Sequence, residues 1–92
     1  VNTTDALVLH RDDTVATALR PLQAGQTVEV TVDGQRMSVV LREPIALCHK
    51  FALHDLAAGE TVVKYGEAIG QTSQPVQAGD HVHVHNLRSR RA

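Results

Sequence analysis

Aromatic residues are nearly absent. Tyr65 and Phe51 are the only two in 92 residues, and there is no tryptophan. That removes the stacking platforms on which single-stranded nucleic-acid binders rely, and it leaves the core to Val, Leu, Ala and Ile. Cysteine is scarce as well. Cys48 stands alone, so no internal disulfide can form, and a reducing, cytoplasmic setting is the simplest expectation. No apolar run approaches the roughly 20 residues that span a bilayer, and no signal-peptide pattern opens the sequence, so no membrane association is expected. Charge of one sign is lacking too. A formal net charge of −1 gives no general attraction to nucleic acid or to an anionic surface.

What is present is a balanced composition, 42% hydrophobic and 21% charged, which fits one small folded domain. Residues 1–87 read as that domain and 88–92 as a basic C-terminal tail, solvated and frayed. The fold class read from the pattern is mainly β, built of short strands and hairpins with one or two short helices. Thr27-Val-Glu-Val-Thr-Val32 and Gln35-Arg-Met-Ser-Val-Val-Leu41 flank Asp33-Gly34, a type I′ turn signal. A two-residue loop places Val32 opposite Gln35, Val30 opposite Met37 and Val28 opposite Val39, which gathers the apolar pairs on one face. Ala6-Leu-Val-Leu9 predicts a first strand. Val15, Ala16, Ala18 and Leu19 predict a short helix, capped by Asp12 or Asp13 and ended by Pro21.

One phrase recurs: Pro21-Leu-Gln-Ala-Gly-Gln-Thr-Val28, Asp55-Leu-Ala-Ala-Gly-Glu-Thr-Val62 and Pro75-Val-Gln-Ala-Gly-Asp-His-Val82. Each is an apolar residue, an Ala-Gly turn, two polar residues and a valine entering a strand. The glycines are spaced unevenly, by 34 and then 20 residues, so this is a repeated strand-entry device within one domain rather than a solenoid. Between the copies, Ile45 to Leu53 predicts a loop and a short strand. Thr61-Val-Val63 and Ala68 to Thr72 predict two strands about a turn at Lys64-Tyr-Gly-Glu67.

The chemistry-bearing stretch is His81-Val-His-Val-His-Asn86, with three of the six histidines in five positions. Alternation predicts a strand with Val82 and Val84 in the core and the histidines in a row outside. Strand neighbours two apart are separated by roughly 6.5–7 Å, so two of them can close on one ion and all three cannot. A metal site would pair His83 with His81 or His85 and be completed from elsewhere. His49-Lys50 in a loop and Lys64 on a tight turn are further candidates. Cys48 beside His49 suggests a thiolate–imidazole pair, but vicinal residues on an extended segment point apart. His10 with Asp13 could orient an imidazole, though Asp13 serves better as a cap. His54 beside Asp55 reads as a solvated turn. There is no phosphate-binding glycine loop, no Ser/His/Asp set and no Cys-x-x-Cys, so no complete active site is visible.

Several of these segments resemble one family. Cys48-His-Lys-Phe-Ala-Leu53, Val63-Lys-Tyr-Gly-Glu-Ala-Ile-Gly70 and Ala78-Gly-Asp-His-Val-His-Val-His-Asn86 are similar to the small SAF-type (antifreeze-like, β-clip) domain of altronate and galactarate dehydratases. So are His10-Arg-Asp-Asp-Thr-Val15 and Ala18-Leu-Arg-Pro-Leu22. One departure is Cys48, where similar domains carry glycine. The resemblance implies the small subunit of a hydro-lyase that eliminates water from a sugar acid, working with a large catalytic subunit and a divalent metal, iron or manganese. A sulfolactate sulfo-lyase small subunit, acting on a sulfonated hydroxy acid, is the alternative, and a non-catalytic SAF module for carbohydrate or protein is a third. By the same resemblance His49, Lys50, Lys64, His85 and Asn86 would face a shared active site. Lys50, Lys64 and His10 would contact substrate, and His83 with His85 would hold the metal. Self-association into a homo-oligomer is compatible with this picture; nucleic acid is not an expected partner.

Overall fold

The computed structural model describes residues 5–89. Among these residues nine short strands form three antiparallel sheets. A four-stranded sheet runs in the order β1 (Ala6–Leu7), β2 (Val15–Ala18), β5 (Lys50–Ala52), β8 (His81–Val82). The hairpin β3 (Thr27–Val32) and β4 (Gln35–Val40) stands as a second sheet. The third contains β6 (Thr61–Lys64), β7 (Glu67–Thr72) and β9 (Leu87–Ser89). The mainly β class holds, but no helix occurs among the described residues, and none is long and apolar enough to cross a membrane.

The hairpin register is the one that the Asp33-Gly34 turn dictates, Val32 with Gln35, Val30 with Met37 and Val28 with Val39. Tyr65-Gly66 makes the equivalent turn between β6 and β7, with both residues at positive φ (55° and 79°).

The segment expected to be helical is strand β2. Its four residues are all buried: Ala16 and Ala18 enter one apolar cluster, with Leu22, Val28, Leu41, Ile45 and Phe51, while Val15 enters a second, with Ala52, Leu56, Val62, Val76 and Val82. A strand with core on both faces loses its alternation, and an apolar spacing of 15, 16, 18, 19 then imitates a helix. Asp13 therefore caps no helix. Its buried carboxylate accepts the amides of Leu9 (3.1 Å), His10 (3.2 Å) and Gly66 (2.7 Å), which pins the N-terminal loop to the β6–β7 turn.

The repeated phrase is real, and it has a fourth copy. Gly25, Gly59 and Gly79 have φ of 83°, 79° and 88°, and Cys48 has φ of 70°. Each of these four donates its amide to a neighbouring segment: to the carbonyls of Leu41, Thr72, Ala52 and Ala18 respectively. Each turn opens a strand, β3, β6, β8 and β5. The apolar residues of the phrases pair off, Leu22 with Ile45 and Leu56 with Val76. In chain order the turns thus enter β3, β5, β6 and β8, and the second of them was hidden because cysteine replaces glycine.

Two residues of the stretch read as a basic tail are in a strand. Arg88 and Ser89 belong to β9, which pairs with β7 through Gly70–Ser89, Gln71–Arg88 and Thr72–Leu87. The remainder of the tail, residues 90–92, lies outside the described residues.

Candidate functional site

The site is built by the pairing of β5 with β8. Lys50 lies opposite Val82 and Phe51 opposite His81. Continuing that antiparallel register by one step sets His49 opposite His83. Residues 49 and 51 then share a face with 81 and 83. Phe51 is fully buried in the first core, and the three histidines continue its face to the edge of the domain. Their rings are stacked: His49 and His83 centroids are 4.3 Å apart, His49 and His81 5.1 Å, His81 and His83 5.2 Å. His49 Nδ1 lies 2.9 Å from His81 Nε2.

The row of three histidines on one strand is not formed. β8 ends at Val82, and the chain turns back through 83–86, with the amides of Asn86 and Leu87 both donating to the His83 carbonyl at 3.0 and 2.8 Å. Val84, expected in the core, is 83% exposed. His85 is also exposed and meets only the margin of the cluster, its ring tilted 38° against His81 at 5.4 Å. Asn86 explains the turn. Its buried side chain donates from Nδ2 to the His81 carbonyl (2.8 Å) and accepts the His83 amide at Oδ1 (2.9 Å). Glu43 holds the other side by accepting the His81 amide at 2.9 Å.

The surroundings of His81 and His83 disfavour their charged forms. Burial, then the neighbouring His49 and His83, lower the pKa of His81, while Glu43 works against them. His83 is lowered by burial, then by His49, Lys50 and His85. Lys50, which opens β5 rather than sitting in a loop, is lowered by burial and by the Lys64 ammonium. Lys64 lies over the Tyr65 ring at 5.1 Å. The Lys50 ammonium thus acts on His83, and that of Lys64 on Lys50, where β5 begins and β6 ends.

His10 is elsewhere. Its ring packs against Gly66, where an added Cβ would lie 3.1 Å away, and its Nδ1 accepts the Asp12 amide at 3.0 Å. His54 is exposed beside its own turn. Cys48 is exposed and takes no part in the ring cluster. The sequence offered His81 and His85 as alternative partners of His83 and did not bring His49 into that set; the available signal was the fourth turn, since aligning Cys48 with Gly79 makes β5 and β8 equivalent strand entries. A concavity of about 440 Å³ lies on the third sheet, lined by Thr61, Ala68, Gly70, Gln71, Arg88 and Ser89. No candidate residue lines it, so converging titratable groups mark the site rather than hollow volume.

The donor set suits a divalent metal. The ligand nitrogens of His49, His81 and His83 all lie within 4.8 Å of one another, and imidazole is a common ligand for iron and its neighbours in the first transition row.

Comparison with known proteins identifies the family of the domain. The family model described as the altronate/galactarate dehydratase SAF domain matches residues 4–90. Altronate dehydratase of Escherichia coli is 48% identical over 81 residues, which is 88% of this chain but 16% of that protein. The (2R)-sulfolactate sulfo-lyase subunit alpha of Chromohalobacter salexigens is 37% identical over 90 residues, covering 95% of this chain and 96% of that subunit. The same-named subunit of Paracoccus pantotrophus is 40% identical over 62 residues, 67% of this chain and 92% of its own length. The chain thus spans about a sixth of the length of the dehydratase it matches and nearly all of the Chromohalobacter lyase subunit, and it belongs to the SAF-domain family of the altronate/galactarate dehydratases.

Proposed function

We propose that this chain is the small, SAF-type subunit of a metal-dependent carbon–oxygen lyase acting on a sugar acid, and that it supplies one side of an active site completed by a larger chain. The observation that carries this is the convergence of His49, His81 and His83 next to Lys50, which is itself close to Lys64, in a domain of this family. Elimination next to a carboxylate passes the α-proton to a base of the shared active site, leaves the electron pair as an enediolate, and then breaks the C–O bond, the departing hydroxide taking up a proton to leave as water. The barrier lies in holding the enediolate charge. Histidines of the cluster would hold a divalent ion such as iron or manganese, which would supply that stabilisation as a Lewis acid. Lys50 and Lys64 bind and orient the substrate carboxylate. His85, exposed at the rim, passes a proton to the departing hydroxide. Asn86 fixes the backbone that presents these rings.

A second reading has its own support. The match over nearly the full length of a sulfolactate sulfo-lyase subunit favours a two-chain enzyme in which the bond broken is C–S and the group released is sulfite.

The test is co-expression with the adjacent reading frame, followed by incubation of the copurified complex with altronate, galactarate or sulfolactate under reducing conditions with iron or manganese. A 2-keto acid with loss of water supports the first reading, and sulfite the second. Absence of a copurifying partner together with absence of either product removes both.

A further inference from the structure

Lys50 and Lys64 belong to different sheets, and among the described residues no strand ladder joins β6 to β2 or β5. What joins them is the pair of residues just before β2. Thr14 donates its amide to the Val63 carbonyl (3.0 Å), and its Oγ1 accepts the Val63 amide (3.0 Å). The Thr14 carbonyl accepts the amide of Leu53, just past β5, at 2.9 Å. Asp13 Oδ1 accepts the Gly66 amide at 2.7 Å, while Oδ2 accepts those of Leu9 and His10 at 3.1 and 3.2 Å. Val63 and Gly66 flank Lys64 and Tyr65, so the stretch that carries Lys64 is fixed at both ends. Three residues after Thr14, Thr17 stands opposite Lys50 in the β2–β5 ladder.

We propose that Asp13 and Thr14 are positioning residues: by holding Gly66 and Val63 they keep Lys64 close to Lys50, so that both ammonium groups take one carboxylate of the substrate. This deepens the lyase reading and rests on it only for the identity of that anion.

The Asp13 carboxylate is 5% exposed, and among the described residues no cation pairs with it. A buried carboxylate needs donors, but its own loop already supplies two, the amides of Leu9 and His10. The third and shortest bond reaches 53 positions along the chain, to the β6–β7 turn. Closing the loop does not call for it.

The lysines supply the reason. The Lys64 ammonium acts on Lys50, and like charges brought together repel. A turn free to move would relieve that repulsion by carrying Lys64 away, and the bracket holds it against this. The β6–β7 register shifts between Val62 and Val63, a feature that re-aims a strand and its side chains, and Thr14 closes on the residue at the shift. Glycine at 66 admits the close approach: its φ is 79°, and a Cβ there would lie 3.1 Å from the His10 ring.

The experiment titrates L-tartrate, a hydroxy dicarboxylate, into the whole 92-residue chain and follows the lysine ε-methylene resonances. Those of Lys50 and Lys64 should move together with one dissociation constant. Asp13→Asn, checked for folding by circular dichroism, should weaken binding about tenfold, the worth of one charge-assisted hydrogen bond, and Lys64→Met by as much. The double variant should bind no more weakly than either alone, because both changes remove the same contact. Thr14→Val keeps the shape and removes only the Oγ1 acceptor; it should weaken binding in the same non-additive way, and it reads the bracket where Asp13→Asn does not fold. In the partner complex Asp13→Asn should raise KM with kcat little changed, whereas a merely structural role would lower the active fraction, and so kcat, at constant KM. Lysine signals that stay still or saturate with separate constants, or losses that add in the double variant, overturn the proposal. A wild-type complex that eliminates nothing removes the lyase reading, while the tartrate titration still decides the bracket.

Discussion

Asn86 shows how a residue expected to face substrate contributes from inside the fold. Both ends of its amide are engaged with backbone of the histidine turn, and it is 3% exposed. Asn86→Ala removes two hydrogen bonds and leaves the His83 amide and His81 carbonyl without those partners. We expect a loss of about 2 kcal/mol in stability, read by urea unfolding, with Asn86→Asp recovering part of it through the acceptor alone. Equal stability of the Asn86→Ala variant and the wild-type protein would show that the turn holds itself. The imidazoles give the second residue-scale prediction. His81 and His83 both titrate below the ordinary value of about 6.5, in surroundings that include His49, His85, Lys50 and the opposing Glu43. As pH falls through that ordinary value, the unfolded chain takes up protons that the folded chain resists, so stability must fall with it. In chelator-treated protein the unfolding midpoint should drop between about pH 7.5 and 5.5, and His81→Gln should flatten the profile. A wild-type profile without slope would mean that the cluster charges freely. The sequence made His83 and His85 conspicuous by alternation, but alternation cannot show that a strand stops at Val82. That depends on the Asn86 clamp.

The repeated turn was legible where glycine marked it and hidden where it did not. Gly25, Gly59 and Gly79 share one backbone conformation, yet they are not equally replaceable. A Cβ at Gly25 or Gly59 meets open space, whereas at Gly79 it would collide with the carbonyl oxygen of Val40. Gly25→Ala should therefore cost only the left-handed penalty, about 1–2 kcal/mol. Gly79→Ala adds a backbone clash and should cost about 3 kcal/mol or more. Similar thermal shifts for the two variants would mean that β4 yields to the new methyl. Cys48 already bears the conformational penalty, so Cys48→Gly should stabilise the chain by up to about 1 kcal/mol, the left-handed relief less glycine's added unfolded-state entropy. The Asp33-Gly34 hairpin was readable in full because turn chemistry and face pattern carry the same register. Strand β2 was not, since burial on both faces erases the period that would identify it.

At the scale of the molecule, charge placement matters more than charge count. A net charge of −1 cannot recruit an anionic substrate by long-range attraction. The Lys64 ammonium, however, stands close enough to act on Lys50, and the partial burial of Lys50 sharpens the local potential. Placing like charges together has a cost that an arriving carboxylate would remove. This part of the site could be named from the sequence, as Lys50 and Lys64, but not assembled, because the two lysines come from strands in different sheets. In the partner complex, Lys50→Met and Lys64→Met should each raise KM about tenfold or more, the worth of a charge-assisted hydrogen bond, with kcat changed far less, since the substrate carboxylate is bound in ground and transition state alike. The wild-type KM should also climb with ionic strength as the attraction is screened, and that climb should shrink in either variant. A kcat that collapses while KM and its salt dependence stay fixed would instead place the lysines at the reacting carbon, and would move substrate capture to the larger chain.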